Sequence, residues 1–337
     1  MAKKYNVAVV GATGVVGQEM LKVLEERKFP VGKIIPLASA RTAGSRVEFQ
    51  GQEVVVQELK ETSFSDAQIA LFSAGSAVSE KFAPLAAASG AVVIDNTAFF
   101  RMDPQVPLVV PEINASAVKN RPKGIIANPN CSTAQMVVAL KPIYDAVGIK
   151  RLVISTYQAV SGTGKEAIDE LQQEVVDILQ FKPVRPKVYP HQIAFNILPH
   201  IDSFLDSGYS KEEMKMVNET KKIFGDAGLR VTATTCRVPV FYCHAECVNV
   251  ETQKKISADE ARRLLHKAEN VIVLDEPQKN IYPMPILAAG KNETLVGRIR
   301  EDISIDNGLE LFIVADNLRK GAAFNAVQIA EEVIKDL

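Results

Sequence analysis

Two textures of apolar patterning divide the chain. In the first third, short β-branched or apolar runs alternate with stretches of helical spacing. Tyr5 to Val10 reads as a strand, Val15 to Arg27 as an amphipathic helix, and Lys33 to Ala38 as a second strand. Ile69 to Ser73, Val92 to Asp95 and Gly124 to Ala127 continue the strands, with helical spacing over Ala77 to Ala88. That alternation predicts a doubly wound parallel sheet with right-handed crossovers, placed over residues 1–127.

Beyond residue 128 the pattern changes. Arg151 to Val160 is one long β-rich run and Glu166 to Leu179 an amphipathic helix, while residues 182–201 carry four prolines and read as loop. Ser210 with Glu213 and Ser257 with Glu260 match capping boxes, so helices are expected to begin there. Arg230 to Val250 and Leu295 to Ala315 alternate like strands with one wet or partner-facing side, which predicts an α+β domain over 128–316 built on a mixed or antiparallel sheet. The last stretch, Gly321 to Leu337, returns to helical spacing, and residues 317–337 are expected to complete the first domain. No internal repeat is visible.

Composition narrows the function classes. Of 337 residues, 47% are hydrophobic, and 39 Lys and Arg balance 40 Asp and Glu, so no single-sign field points to nucleic acid or an anionic membrane. Small-molecule chemistry gains weight. The N-terminus lacks a secretory pattern and no apolar run is long enough to span a bilayer, so a soluble, cytoplasmic protein is expected. Four cysteines, at 131, 236, 243 and 247, are too few for a disulfide framework and fit a reducing compartment.

The first chemical signal is GATGVVG, Gly11 to Gly17, between the first strand and the first helix. Glycines there let backbone amides approach a pyrophosphate at the positive end of the helix, which predicts a Rossmann-type nucleotide site. At the end of the second strand, where an acid would bind a ribose hydroxyl, the chain has LASARTAGS. Ser39, Arg41 and Thr42 suit a 2′-phosphate instead, so NADP is expected over NAD, although a solvated loop arginine would look the same. SGTGKEA, Ser161 to Ala167, lacks the first glycine and the hydroxyl residue of a P-loop; its small residues suit close approach of a flat ring such as nicotinamide.

The second signal is NPNCSTAQM, residues 128–136. If a helix begins near Ser132, Cys131 sits where the macrodipole and free amides favour a thiolate. Position alone leaves a buried small hydrophobe as the other reading. Asn130 and Gln158 could offer amide donors to an oxyanion. Among the four histidines, His266 reads as a surface residue within a helix, and His191 and His200 lie in the proline-rich loop. His244 and Arg237 fall on neighbouring strand-like segments. A strand would turn Cys243 and Cys247 to one side and His244 to the other, and no paired CxxC exists, so no metal site is expected.

Taken together, GATGVVGQEM, VIDNTAFFRMDPQVPLVVPEIN, NPNCSTAQM, QAVSGTGKEA, EEMKM, RVPV with a downstream histidine, and DNLRKGAA resemble the aspartate-semialdehyde dehydrogenase family in family order across the whole chain. The resemblance implies NADPH-dependent reductive dephosphorylation of L-aspartyl-4-phosphate to aspartate semialdehyde and phosphate, a step toward lysine, methionine, threonine and isoleucine. Cys131 would form an acyl-thioester, His244 would serve as acid-base on the thiohemiacetal oxygen, and Gln158 would hold the acyl group, with Asn130 alongside. Arg237 would clamp the α-carboxylate, Glu212 would pair with the ammonium, and Arg101 with Lys215 would bind phosphate. The cofactor would meet Gly11, Thr13, Gly14, Val15, Val16, Ser39, Arg41, Thr42, Ser73, Gly75, Ser161, Gly162 and Asn317. A homodimer through the second domain's sheet is also implied.

Two departures stand out. Cys243 occupies a position where glycine is usual, and Ala98-Phe99 replaces Ser-Ala beside Arg101. N-acetyl-glutamyl-phosphate reductase, a glyceraldehyde-phosphate-type dehydrogenase and a non-catalytic NADP-sensing scaffold are the competing readings. An ammonium partner at Glu212 argues against the first, the missing ribose acid against the second, and the full set of chemical groups against the third.

Overall fold

The computed structural model describes residues 3–337. The chain forms two compact units, one running to Asn130 and adding Ala322–Leu337, the other spanning Cys131–Gly321. The sequence placed these divisions at 127/128 and 316/317.

The first unit is a six-stranded, all-parallel sheet. Strands β1 (Tyr5–Val10), β2 (Val31–Ala38), β5 (Gln57–Glu58), β6 (Ile69–Phe72), β7 (Val92–Asp95) and β8 (Ile125–Ala127) stand in the order β5-β2-β1-β6-β7-β8. Helices α1 (Val15–Glu26), α2 (Ser76–Ala88) and the short α3 (Pro111–Asn114) lie between them in sequence. Strand order reverses between β1 and β6, the place where a doubly wound sheet opens a ligand crevice beyond its strands' carboxyl ends. Gly11 follows β1 and Ser73 follows β6, so both glycine-containing turns line that position. The terminal helix Phe324–Val333 buries Phe324, Val327, Ile329 and Val333 in one core with Tyr5, Val7, Leu24 and Phe29. Each such side chain contributes about 1.5–3 kcal/mol on burial, enough to fix the helix there.

Patterning missed a hairpin in this unit. Strands β3 (Arg46–Phe49) and β4 (Gln52–Val55) pair through the two-residue turn Gln50-Gly51. Both turn residues have positive φ, 52° and 71°. A primed turn of that kind is ordinarily announced by Asn-Gly or Asp-Gly, and glutamine at its first position hides it.

In the second unit, β9 (Ile149–Gln158), β10 (Arg230–Arg237), β11 (His244–Thr252), β12 (Val271–Val273), β13 (Thr294–Glu301) and β14 (Gly308–Ala315) form a sheet ordered β10-β9-β11-β14-β13-β12. The sheet is mixed, because β9 with β10 and β12 with β13 run parallel while the other pairs are antiparallel. Alternation along a strand carries no information on direction; the connection from β9 to β10, through α5 (Lys165–Leu179), a long loop and α6 (Lys211–Phe224), is long enough for a parallel crossover. Both expected capping boxes are present, at Ser210 for α6 and Ser257 for α7 (Ala258–Leu265). Helix α4 (Cys131–Val147) is buried along most of its length, and α8 (Pro285–Ala288) is a single turn. Among the described residues no helix is long and apolar enough to cross a membrane.

Candidate active site

The nucleotide turn in the first unit is shaped by what its glycines exclude. At Gly11, φ is 87° and an added Cβ would lie 2.6 Å from the Ser73 carbonyl oxygen. At Gly17 an added Cβ would lie 2.1 Å from the Gly11 carbonyl oxygen, so the start of α1 closes tightly on the turn. Gly14 caps α1 with no side-chain hydrogen bond, and the first turn of α1 has no acid. The amides there are left to an anion, which is the fit a dinucleotide pyrophosphate requires. Thr13 and Thr42 hydroxyls meet at 3.5 Å, which brings the expected ribose loop beside the turn. Ser39 and Arg41 are exposed on that loop. In the same unit Arg101 is buried, donating from Nε to the Asn128 carbonyl at 2.9 Å and from Nη2 to the Asn96 carbonyl at 2.8 Å. Phe99 packs edge-on against Phe100.

The second unit brings several of the remaining candidates to one end of its sheet. Arg237 pairs with Gln158 where β10 and β9 both finish, and His244 pairs with Ala315 where β11 begins and β14 ends. Arg237 and His244 lie on strands consecutive in sequence, as expected, and in the sheet β9 lies between β10 and β11. Their side chains nevertheless converge on Gly162, where an added Cβ would meet Arg237 Nη1 and His244 Nε2, each at 3.0 Å. Gly162 leaves room there for the His244 imidazole and the Arg237 guanidinium.

His244 is fully buried, and its Nδ1 accepts the Ala159 amide at 3.0 Å. A ring nitrogen that accepts carries no proton, so the neutral ring bears its hydrogen on Nε2. That Nε2 has no hydrogen-bond partner. Burial first, then the Arg237 charge, hold the imidazole well below its ordinary range, against a smaller opposing effect from the Cys243 carbonyl. Arg237 donates from Nη1 to the Ala159 carbonyl at 2.7 Å, while its buried Nε also has no partner. Two orphaned donors in one buried place are what a carbonyl or carboxylate ligand would satisfy.

Asn317 ties this corner together. Its Oδ1 accepts from Ser161 Oγ at 3.1 Å and from the Cys243 amide at 2.9 Å. Cys243 itself has φ 75°, so the chain keeps a glycine-like backbone at the position where glycine is usual in the family it resembles. Its thiol is buried, and burial pushes its ionisation far up.

Cys131 is the first residue of α4 and is partly exposed. Gly321 presses on it. An added Cβ at Gly321 would lie 2.7 Å from Cys131 Cβ, and Gly321 belongs to the π-helical turn Arg319–Ala323. Gly321→Ala is therefore expected to displace Cys131 and cut kcat by roughly tenfold or more, since small misplacements of a reacting atom are costly. Steady-state rates with an unchanged circular dichroism spectrum would show it.

The charged set is interlinked. Gln158 Nε2 donates to Glu212 Oε1 at 3.2 Å, and Lys215 Nζ bonds Glu212 Oε2 at 3.0 Å and Asp202 Oδ2 at 2.9 Å. Burial alone would depress the Lys215 ammonium, but Glu212 and Asp202 together raise it above its usual value. Burial would likewise raise Asp202, yet Lys215 holds it low. Asp202 escaped sequence reasoning because it lies in a loop without periodicity. Asn130 is buried at the end of the first unit, immediately before Cys131. His266 closes α7 as an exposed C-cap, and His200 stacks on Phe204. Among the described residues no three His, Cys, Asp or Glu side chains cluster as a metal site would need.

A dinucleotide turn in one unit and, in the other, a cysteine at a helix start with a buried histidine and arginine meeting at Gly162 fit an oxidoreductase of the semialdehyde dehydrogenase class. Residues 6–121 match the description "Semialdehyde dehydrogenase, NAD binding domain" and residues 140–320 match "Semialdehyde dehydrogenase, dimerisation domain". Relatives narrow this further. The chain is 56% identical over 335 residues to the aspartate-semialdehyde dehydrogenase of Aquifex aeolicus, covering 98% of each protein. It is 57% identical over 333 residues to that of Legionella pneumophila, covering 98% of this chain and 96% of the other. The crystal structure of Vibrio cholerae aspartate semialdehyde dehydrogenase II complexed with ASA superposes with a TM-score of 0.97 at 51% identity, covering 99% of both chains. The chain belongs to the aspartate-semialdehyde dehydrogenase family.

Proposed function

We propose that the chain converts L-aspartyl-4-phosphate and NADPH to aspartate 4-semialdehyde, phosphate and NADP, in the biosynthesis of lysine, methionine, threonine and isoleucine. The observation that carries this reading is the pair of buried, unpartnered donors, His244 Nε2 and Arg237 Nε, beside Gly162. The Cys131 sulfur attacks the acyl carbon, and phosphate departs with the carbon–oxygen electron pair, leaving an acyl-thioester. NADPH supplies the hydride when bound. His244 presents its Nε2 hydrogen to the thiohemiacetal oxyanion, and Gln158 and Asn130 hold the acyl group; the carbon–sulfur bond then breaks, its electron pair returns to Cys131 as thiolate, and the aldehyde leaves. Arg237 clamps the α-carboxylate, Glu212 takes the ammonium, and Arg101 and Lys215 take the phosphate.

The dinucleotide would lie on Gly11, Thr13, Gly14, Val15 and Val16, with Ser73, Gly75, Ser161, Gly162 and Asn317 along it. Ser39, Arg41 and Thr42 support NADP, because no acid stands at that loop to take a free ribose hydroxyl. Arg41→Ala is expected to raise KM for NADP roughly tenfold, the worth of one charge-assisted contact, and to leave KM for NAD unchanged. Equal effects on both would refute that specificity.

The dimerisation-domain match supports a homodimer through the second unit's sheet, whose face carries the half-exposed Tyr157 and the exposed Arg298. Four cysteines, none of them in a disulfide, fit a cytoplasmic setting. Phosphate-dependent reduction of NADP by aspartate semialdehyde tests the whole reading. Turnover only with an N-acetylated semialdehyde would overturn it, as would none with either.

A further inference from the structure

Glu246 is a fully buried carboxyl that the chemistry above does not use. It lies two residues beyond His244 on β11, so both side chains leave the same face of the strand. The side chains that lower its pKa from nearby are Ser132 and Gln135, from the first two turns of α4. Ser132 is the residue after Cys131. Gln135 Nε2 also donates one hydrogen to the His244 carbonyl at 3.2 Å, which leaves its second hydrogen for the carboxyl. These contacts are loose, since neither carboxyl oxygen meets strict hydrogen-bond geometry.

Burying a carboxyl here is costly, and a leucine of similar size would fill the space without that cost. Burial outweighs the Ser132 and Gln135 donors and raises the group well above the ordinary carboxylate range, which favours its neutral form. Neutrality matters beside a nucleophile. A carboxylate next to Ser132 would oppose the positive end of α4, whereas an acid accepts hydrogen bonds without repelling a thiolate.

We infer that Glu246 is a positioning residue: it fastens the first turn of α4, which carries Cys131, to the start of β11, which carries His244, and so sets the geometry between sulfur and imidazole. The inference rests on the roles proposed for those two residues. Glu246→Gln, a neutral isostere, should keep kcat within about threefold of wild type. Glu246→Leu should lower kcat by roughly 10- to 100-fold, the scale of a displacement near 1 Å, with KM for NADP unchanged and melting temperature not reduced. Gln135→Met removes the other end of the link, keeps the volume, and should show the same fall in kcat; it serves as the test if Glu246→Leu fails to fold.

Rates are expressed per iodoacetamide-reactive thiol, and the alkylation rate of Cys131 is followed in each variant. That rate should match wild type in Glu246→Gln and differ severalfold in Glu246→Leu. Wild-type kcat and alkylation rate in both apolar variants, or a Glu246→Gln enzyme as slow as Glu246→Leu, would overturn the inference. Wild-type protein inactive toward aspartate semialdehyde would overturn the substrate assignment instead, and the alkylation comparison would still decide the role of Glu246.

Discussion

Cys131→Ala is expected to abolish phosphate-dependent NADP reduction, lowering kcat by about 10⁴-fold or more, because no acyl-enzyme can form. The fold should be indifferent. Cys131 is partly exposed, and alanine is the residue best suited to a helix, so the melting temperature should stay within a few degrees. No other sulfur can substitute. Cys243 is walled in, and burial raises the ionisation of Cys236, Cys243 and Cys247 alike. Iodoacetamide at neutral pH should therefore inactivate the wild type by modifying one residue, and substrate should protect it. Activity surviving in Cys131→Ala would refute the mechanism.

His244→Ala should cost about 10²- to 10⁴-fold in kcat, the usual worth of a positioned proton donor. The pH profile adds a finer test. Burial, reinforced by Arg237, keeps the ring neutral well below pH 6.5, so the wild type should lack an acid limb near that value. Stability carries the same signature. A depressed folded pKa means that the unfolded chain takes up the proton first, so this group's contribution is present above about pH 6.5 and is lost as pH falls toward the folded value. The slope is at most about 1.4 kcal/mol per pH unit, and His244→Gln should flatten it. Glu246 acts in the opposite sense. Its raised pKa gives a contribution present below about pH 4.3 and lost as pH climbs through the folded value. Thermal melts of both variants between pH 4 and 8 would separate the two.

Local rules were legible in the sequence where a single element settles the matter. The strand Tyr5–Val10 and the two capping boxes came from periodicity and from spacing within four residues. A helix starting near Ser132 followed from a proline turn before an apolar run, and α4 begins one residue earlier, at Cys131. Contacts between distant segments were not legible. The parallel run of β10 along β9, Asp202 under Lys215, and Gly321 against Cys131 each join residues that no local pattern relates. Glu246 was passed over because a glutamate in an alternating strand reads as the wet face, and here that position points inward. At Cys243 the sequence showed a departure without its consequence, a non-glycine residue held at φ 75°.

Gln158, Arg237, His244 and Asn317 come from the ends of four strands in one sheet or from just beyond them. A slip of one residue in any pairing would turn one of these side chains to the opposite surface. Catalytic competence is therefore a reporter of long-range register, which the helical signal of the chain does not measure.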